Sequence, residues 1–304
     1  MSEKKKVGSR AFGSLGPHCS FLGLHASETE FDSARAVLIP APYDGTTTYR
    51  AGAREGPRAI LSASRELEFF DEETRGEVYR EGIFTLEELP VNVSSPRAMV
   101  REVREACEMV VESGKMPVLL GGEHLLSLGM IEALAGKYPD LKILHLDAHS
   151  DLREEYQGSS YSNACVMRLA LEHASLVQVG IRSLTKEEYD FIEERRVPCY
   201  FAHKLHHDPA LWRKIPDEVA GADLYISIDL DAFDPAIMPA VGTPEPGGLG
   251  WYETLAMLRE VIGRANVVGF DIMELLPVPQ NPPAEFFAAR LLYKLLSYIF
   301  MDKR

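Results

Sequence analysis

The sequence predicts a single-domain, three-layer α/β/α fold in which helices cover both faces of a mainly parallel central sheet. Three observations lead there. Apolar runs of strand length recur along the chain, segments with helical periodicity separate most of them, and polar clusters fall directly after several of the runs. With 304 residues, 46% of them apolar, the chain is long enough to bury a sizeable core in one domain.

Residues 1–33 mix Lys, Gly, Ser and His without a sustained period and read as an irregular N-terminal arm, leaving 34–304 as the domain proper. Within it, residues 36–39, 117–120, 141–146, 176–181, 224–228 and 267–270 read as buried strands. Residues 98–113 place Val100, Val103, Cys107, Val110 and Val111 on one helical face with Arg and Glu opposite, and residues 284–300 repeat the pattern. Alternation of such strands and helices implies a mainly parallel sheet covered on both sides. Residues 239–250 are rich in Pro and Gly and must form a loop. No internal repeat, low-complexity tract or linker divides the chain.

The formal net charge of −14 opposes binding to nucleic acid or an anionic membrane, both of which are polyanions; a small cationic substrate suits it better, although solubility alone also accounts for an acidic surface. The four cysteines, Cys19, Cys107, Cys165 and Cys199, are scattered and form no CxxC pair, so they read as reduced thiols. The N-terminus has no apolar signal core, and no stretch approaches the roughly 20 apolar residues that span a bilayer. A cytoplasmic protein is expected.

Chemistry concentrates where the apolar runs end. In Leu144-His145-Leu146-Asp147-Ala148-His149-Ser150-Asp151, acids and an imidazole stand at alternate positions, which share one face of extended chain. Two buried carboxylates need a compensating cation. Taken alone, the cluster is explained equally well by strand-end turn residues, with Asp147 capping a helix. A second run, Tyr225 to Ile228, leads into Asp229 and Asp231, again two apart; Asp234, before Pro235, reads as a turn or supporting residue. A third, Leu119-Leu120-Gly121-Gly122-Glu123-His124, uses two glycines for a tight turn that presents His124.

Together these offer His124, His149, Asp147, Asp151, Asp229 and Asp231 to one site, too many donors for one structural zinc. Carboxylate-rich N/O coordination points to two divalent metal ions, with Mn2+ the first choice and Co2+, Ni2+, Fe2+ and Zn2+ left open. Two ions about 3.5–4 Å apart lower the pKa of a water between them, so no serine or cysteine nucleophile is needed. His145 is read as out of phase with Asp147, pointing away into the core or supporting the site rather than serving as a ligand. His203, His206 and His207 lack an acidic strand end and read as exposed histidines in a polar loop.

In this order and spacing, GGEH at 121–124, DAHSD at 147–151 and SIDLDAFDP at 227–235 resemble the three metal-binding signatures of the ureohydrolase family of arginases and agmatinases. Further similar stretches are PYDGTTTYR at 42–50, GPRAI at 56–60, GTPEPGG at 242–248 and GFDIMELLP at 269–277, so nearly the whole chain is covered. The resemblance implies an arginase-like fold with 34–304 as the catalytic domain, hydrolysis of a guanidino group to release urea, a role in polyamine biosynthesis, and a homo-oligomer, trimer or hexamer. Residue by residue, it implies that His124 and Asp151 belong to one metal, His149 and Asp231 to the other, and that Asp147 and Asp229 bridge them. Glu274 matches the guanidinium-binding glutamate, and a carboxylate is what a planar cationic fork pairs with.

One position departs from the pattern. Agmatinase-like relatives carry a histidine, assigned to proton transfer, where this chain has Asn163 in Tyr161-Ser162-Asn163-Ala164. Asparagine donates a hydrogen bond but does not titrate near neutral pH. Restoring histidine is therefore expected to speed urea release. In the loop after DAHSD, Glu154 and Glu155 suit an ammonium tail better than a carboxylate, with Arg153 as the opposing feature. Agmatine, converted to putrescine, is the expected substrate. Aminopropylagmatine or another guanidino compound is the alternative, as is a weakly catalytic polyamine-binding protein, which Asn163 motivates.

Overall fold

The computed structural model describes residues 6–7, 10–11, 19–25, 28–280 and 282–302. Its centre is an eight-stranded sheet formed by β1 (Ala36–Ala41), β2 (Ile83–Thr85), β3 (Met116–Gly121), β4 (Lys142–Leu146), β5 (Ser175–Val179), β6 (Cys199–Tyr200), β7 (Asp223–Ile228) and β8 (Asn266–Ile272). The strand order is β2-β1-β3-β8-β7-β4-β5-β6, and every neighbouring pair is parallel. All six predicted strands are present. The two additions, β2 and β6, are short edge strands of three and two residues, too brief to show a period.

Strand residues alternate between two apolar layers. Leu38, Val118, Leu120, Leu144, Leu146, Ile226 and Phe270 face one, together with α1 (Gly56–Ser64), α8 (Trp251–Arg264) and α9 (Pro283–Met301). Val37, Ile39, Leu119, Ile143 and Tyr225 face the other, with α2 (Pro96–Glu112) and α3 (Ser127–Ala135). This double coverage explains why the strands are apolar on both faces. Helix α2 buries the five residues expected of it, and Ser95 caps it by accepting from the Ala98 N–H at 3.1 Å. Near the N-terminus, Phe21, Leu22 and Leu24 pack into the first layer.

Short helices complete the chain: α4 (Val166–Ala170), α5 (Lys186–Arg195), α6 (Ala202–His207) and α7 (Ile215–Val219). Helix α6 corrects the loop expected around His203, His206 and His207: Ala202 and Leu205 are buried and anchor a helical turn, while the three histidines are exposed as expected. His206 Nε2 lies 3.0 Å from the Gly248 carbonyl.

The topology positions the chemistry. The carboxyl ends of β3, β8, β7 and β4 are adjacent in the middle of the sheet, and each leads directly into one of the motif segments. Open parallel sheets bind ligands at such carboxyl ends.

Candidate metal centre

After β3, Gly122 allows the chain to turn under Tyr43, where an added Cβ would run into the Tyr43 and Ala41 carbonyls. The turn delivers His124, which is buried, with Nδ1 3.0 Å from Asp147 Oδ2, 3.3 Å from Asp229 Oδ2 and 3.5 Å from Asp151 Oδ2. Its other nitrogen, Nε2, lies 2.9 Å from Ser227 Oγ, and that hydroxyl donates to Asp271 at 3.1 Å. The hydroxyl proton is thus committed to Asp271, so Nε2 carries the imidazole proton and Nδ1 presents a lone pair to three carboxylates. Nδ1 has no hydrogen-bond partner. A lone pair in that setting requires a cation. Against the effect of burial, Asp147 and Asp229 push His124 well above its ordinary pKa.

A second cluster adjoins the first. His149 Nδ1 is 3.0 Å from Asp231 Oδ2 and 3.4 Å from Asp147 Oδ1. Asp147 therefore turns one oxygen to each histidine. Asp229 turns Oδ2 to His124, while its Oδ1 accepts the Asp231 N–H at 2.8 Å. Burial raises Asp151 and Asp229 well above the carboxylate range, with neighbouring acids adding to the effect. Burial also acts to raise Asp147, but the imidazoles of His145, His124 and His149 outweigh it and hold this carboxyl well below its usual value. Mutually repelling acids packed around imidazole lone pairs are a donor set that fits divalent cations.

His145 corrects its sequence reading. It stands two residues before Asp147, hence in phase with it, and its Nε2 lies 2.9 Å from Asp147 Oδ2. Gln178 Nε2 donates to the Ser150 carbonyl at 2.7 Å and lies 3.0 Å from His145 Nδ1. The carbonyl fixes which end of the Gln178 amide carries hydrogens, so His145 Nδ1 accepts and Nε2–H donates to Asp147. His145 supports Asp147 from behind and has no lone pair to offer a metal.

Glu274 follows β8 and closes the site. It is buried and held at a left-handed φ of 63°; Asp151 has a φ of 53°. Such conformations persist only where surrounding contacts impose them. Glu274 Oε1 accepts from the His124 N–H at 2.7 Å and from Asn163 Nδ2 at 3.1 Å. Burial, then the Asp229 charge, raise its pKa well above the ordinary value. Asn163 Oδ1 in turn accepts the Leu125 N–H at 2.9 Å. All eight predicted site residues therefore converge, and they line or adjoin a cavity of about 260 Å³.

The loop after Asp151 differs from expectation. Glu154 and Glu155 are exposed and do not line the cavity, and Glu154 pairs with Arg168 at 3.2 Å. Arg153 and Tyr156 line it instead, with the Arg153 guanidinium 4.9 Å from the Tyr156 ring centroid and Nε 3.6 Å from the buried Glu188. Asp234 is a loop anchor, accepting the N–H groups of Ala236, Gly247 and Gly248. Sequence reasoning missed Ser227, Asp271, Gln178 and Glu188. Gln178 and Ser227, polar residues inside predicted apolar strands, and Asp271, an acid at the end of one, carried the visible signal.

The Arginase family model matches residues 34–297. N(1)-aminopropylagmatine ureohydrolase of Synechocystis sp. is 39% identical over 277 residues, covering 89% of this chain and 90% of that protein. Agmatinase of Bacillus subtilis is 35% identical over 257 residues, covering 83% and 87%. Among solved structures, agmatine ureohydrolase of Thermoplasma volcanium superposes with a TM-score of 0.82 at 30% identity, covering 89% of this chain and 92% of that one. Proclavaminate amidino hydrolase from Streptomyces clavuligerus gives 0.84 at 26% identity, covering 95% and 98%.

Proposed function

The chain belongs to the arginase family, and on that premise we propose that it hydrolyses agmatine to urea and putrescine, with N(1)-aminopropylagmatine as the second candidate substrate. The names of the relatives at 35% and 39% identity support the two tails in turn. The observation that carries the reading is the junction of the His124 lone pair, three carboxylates and Glu274 in one cavity.

In this reading His124 and Asp151 would hold one divalent ion and His149 and Asp231 the other, with Asp147 and Asp229 available as donors to both. Mn2+ is the first choice for so many carboxylates. When bound, such a pair supplies Lewis-acid polarisation and a nucleophilic water at neutral pH. Glu274 receives the guanidinium and orients its carbon toward the donor cluster. His145 keeps Asp147 in place, and Ser227 with Asp271 keeps His124 Nδ1 turned inward. Asn163 does not titrate near neutral pH, so in this reading the proton for the departing amine comes from a group other than residue 163.

Urea release from agmatine, N(1)-aminopropylagmatine, arginine and guanidinobutyrate, each with Mn2+ supplied, tests this. Turnover of the first two above the others is expected. A fully metal-loaded protein that releases urea from none of them would favour the polyamine-binding alternative that Asn163 motivates. Family resemblance also supports a trimer or hexamer of the 33.9 kDa chain, to be checked by light scattering. The four cysteines are unpaired, which supports a reducing, cytoplasmic setting.

A further inference from the structure

We propose that Asn163 is a positioning residue, which locks the guanidinium-accepting Glu274 to the metal-bearing His124 turn and leaves Glu274 a single oxygen for substrate. The inference rests on the guanidino-hydrolase reading for the role of Glu274.

The orientation of the Asn163 amide follows from its partners. The Leu125 N–H can only donate, so the end facing it at 2.9 Å must be Oδ1, and Nδ2 must face Glu274 Oε1 at 3.1 Å. The Asn163 backbone is fixed as well: its N–H meets Thr46 Oγ1 at 3.3 Å, and that hydroxyl donates to the buried Glu123 at 2.8 Å. His124 and Leu125 thus present successive N–H groups, the first to Glu274 and the second to Asn163, and the Asn163-to-Glu274 hydrogen bond closes the ring.

Two consequences follow. The ring sets the distance between Glu274 and the His124 side of the donor cluster, and it gives the left-handed Glu274 backbone the external contacts such a conformation needs. In addition, Oε1 already accepts two hydrogen bonds, which fills its two lone-pair sites. Oε2, turned toward Gly242 in the cavity wall, meets no donor among the described residues. The guanidinium therefore binds through Oε2 rather than as a two-oxygen fork. A histidine at 163, expected from sequence alone to speed turnover, would break the ring on this account.

Asn163→Asp is the direct test, because it keeps the acceptor for Leu125 and removes the donor to Glu274; Asn163→Ala removes both without adding charge. In Mn2+-loaded full-length protein, agmatine KM and the calorimetric Kd are expected to rise at least about tenfold in both variants, the loss typical of a hydrogen bond to a charged group. Metal content should stay unchanged. In a Glu274→Gln background the same substitutions should add less than about twofold. Equal losses in both backgrounds would overturn the proposal. So would Asn163→His raising kcat at unchanged KM with a new acidic limb in the pH profile, which marks proton transfer. Thermal denaturation of the Asn163→Asp and Glu274→Gln cycle separates the two readings. Non-additive melting shifts without urea release from any substrate would preserve the ring, sink the hydrolase reading and with it the assigned role in substrate binding. Additive shifts would overturn the ring itself.

Discussion

Gln178→Leu should weaken metal binding although Gln178 touches no candidate ligand. Gln178 is fully buried on β5, directly opposite His145 on β4. Its amide nitrogen serves the Ser150 carbonyl and His145 Nδ1, at 2.7 and 3.0 Å. Leucine has similar bulk and no donor. His145 is then free to carry its proton on Nδ1, which would turn the Nε2 lone pair onto Asp147 Oδ2, now 2.9 Å away and accepting a hydrogen bond. Attraction becomes repulsion at the one carboxylate that faces both His124 and His149.

A hydrogen bond to a charged group is worth about 1.5–3 kcal/mol. At about 1.4 kcal/mol per tenfold this is roughly 10- to 100-fold in affinity, the range found when supporting residues of metal sites are removed. Because Asp147 turns one oxygen to each cluster, both ions should weaken. The assay is Mn2+ titration against a competing chelator, with 15N NMR of the histidine rings to report which nitrogen carries the proton. Unchanged affinity for both ions in a folded Gln178→Leu protein would refute the reasoning. A wild-type spectrum with His145 protonated on Nδ1 would refute it independently.

Elemental analysis after Mn2+ loading should find about two ions per wild-type chain. His124→Ala should retain about one, and Asp147→Ala fewer than one, because Asp147 faces both clusters; full occupancy in both variants would contradict the ligand assignment. Lys294→Met should cost about 3–5 kcal/mol in denaturant unfolding, since the buried ammonium lies 2.7, 2.8 and 3.0 Å from Asp71, Glu72 and Glu73 and its loss strands a fully buried Asp71. Burial acts to raise Asp71, but Lys294 and Thr74 outweigh it and lower its pKa; Lys294 itself is raised by the three acids against burial. The contribution should therefore be complete between about pH 4 and pH 10, fading as pH falls through the depressed Asp71 value or rises through the elevated Lys294 value. A wild-type advantage that grows steadily from pH 5 to pH 9 would show that other groups dominate.

The six central strands could be read from sequence because a strand covered on both faces must be apolar at consecutive positions, and a run such as Val118, Leu119 and Leu120 shows that directly. The edge strands β2 and β6 gain their pairing from a neighbour, not from their own residues, and so leave no such mark. The histidines of α6 misled for a related reason: a six-residue helix with two buried positions looks like a polar loop with two chance apolar residues.

At the site, residues at strand ends were readable because alternation along extended chain fixes which side chains share a face. The roles of Gln178, Ser227 and Glu188 were not, because each comes from contacts between elements: Gln178 stands opposite His145 in the register of β4 and β5, Ser227 links His124 to Asp271, and Glu188 reaches from α5 to Ser150 and Leu152. His145 itself was readable, since it stands two positions from Asp147. The loop after Asp151 shows where counting charges fails. Glu154 and Glu155 outnumber Arg153, yet the Arg153 N–H is tied to the Ala164 carbonyl at 3.0 Å, and Tyr156 pairs with Ser159 in both directions at 2.9 and 3.1 Å. Those bonds fold the loop so that positions 153 and 156 face the cavity and the two acids between them face solvent. The charge this wall presents is set by that fold: the exposed acids are screened by water, while Arg153 enters the cavity wall already paired with the buried Glu188 and set against Tyr156.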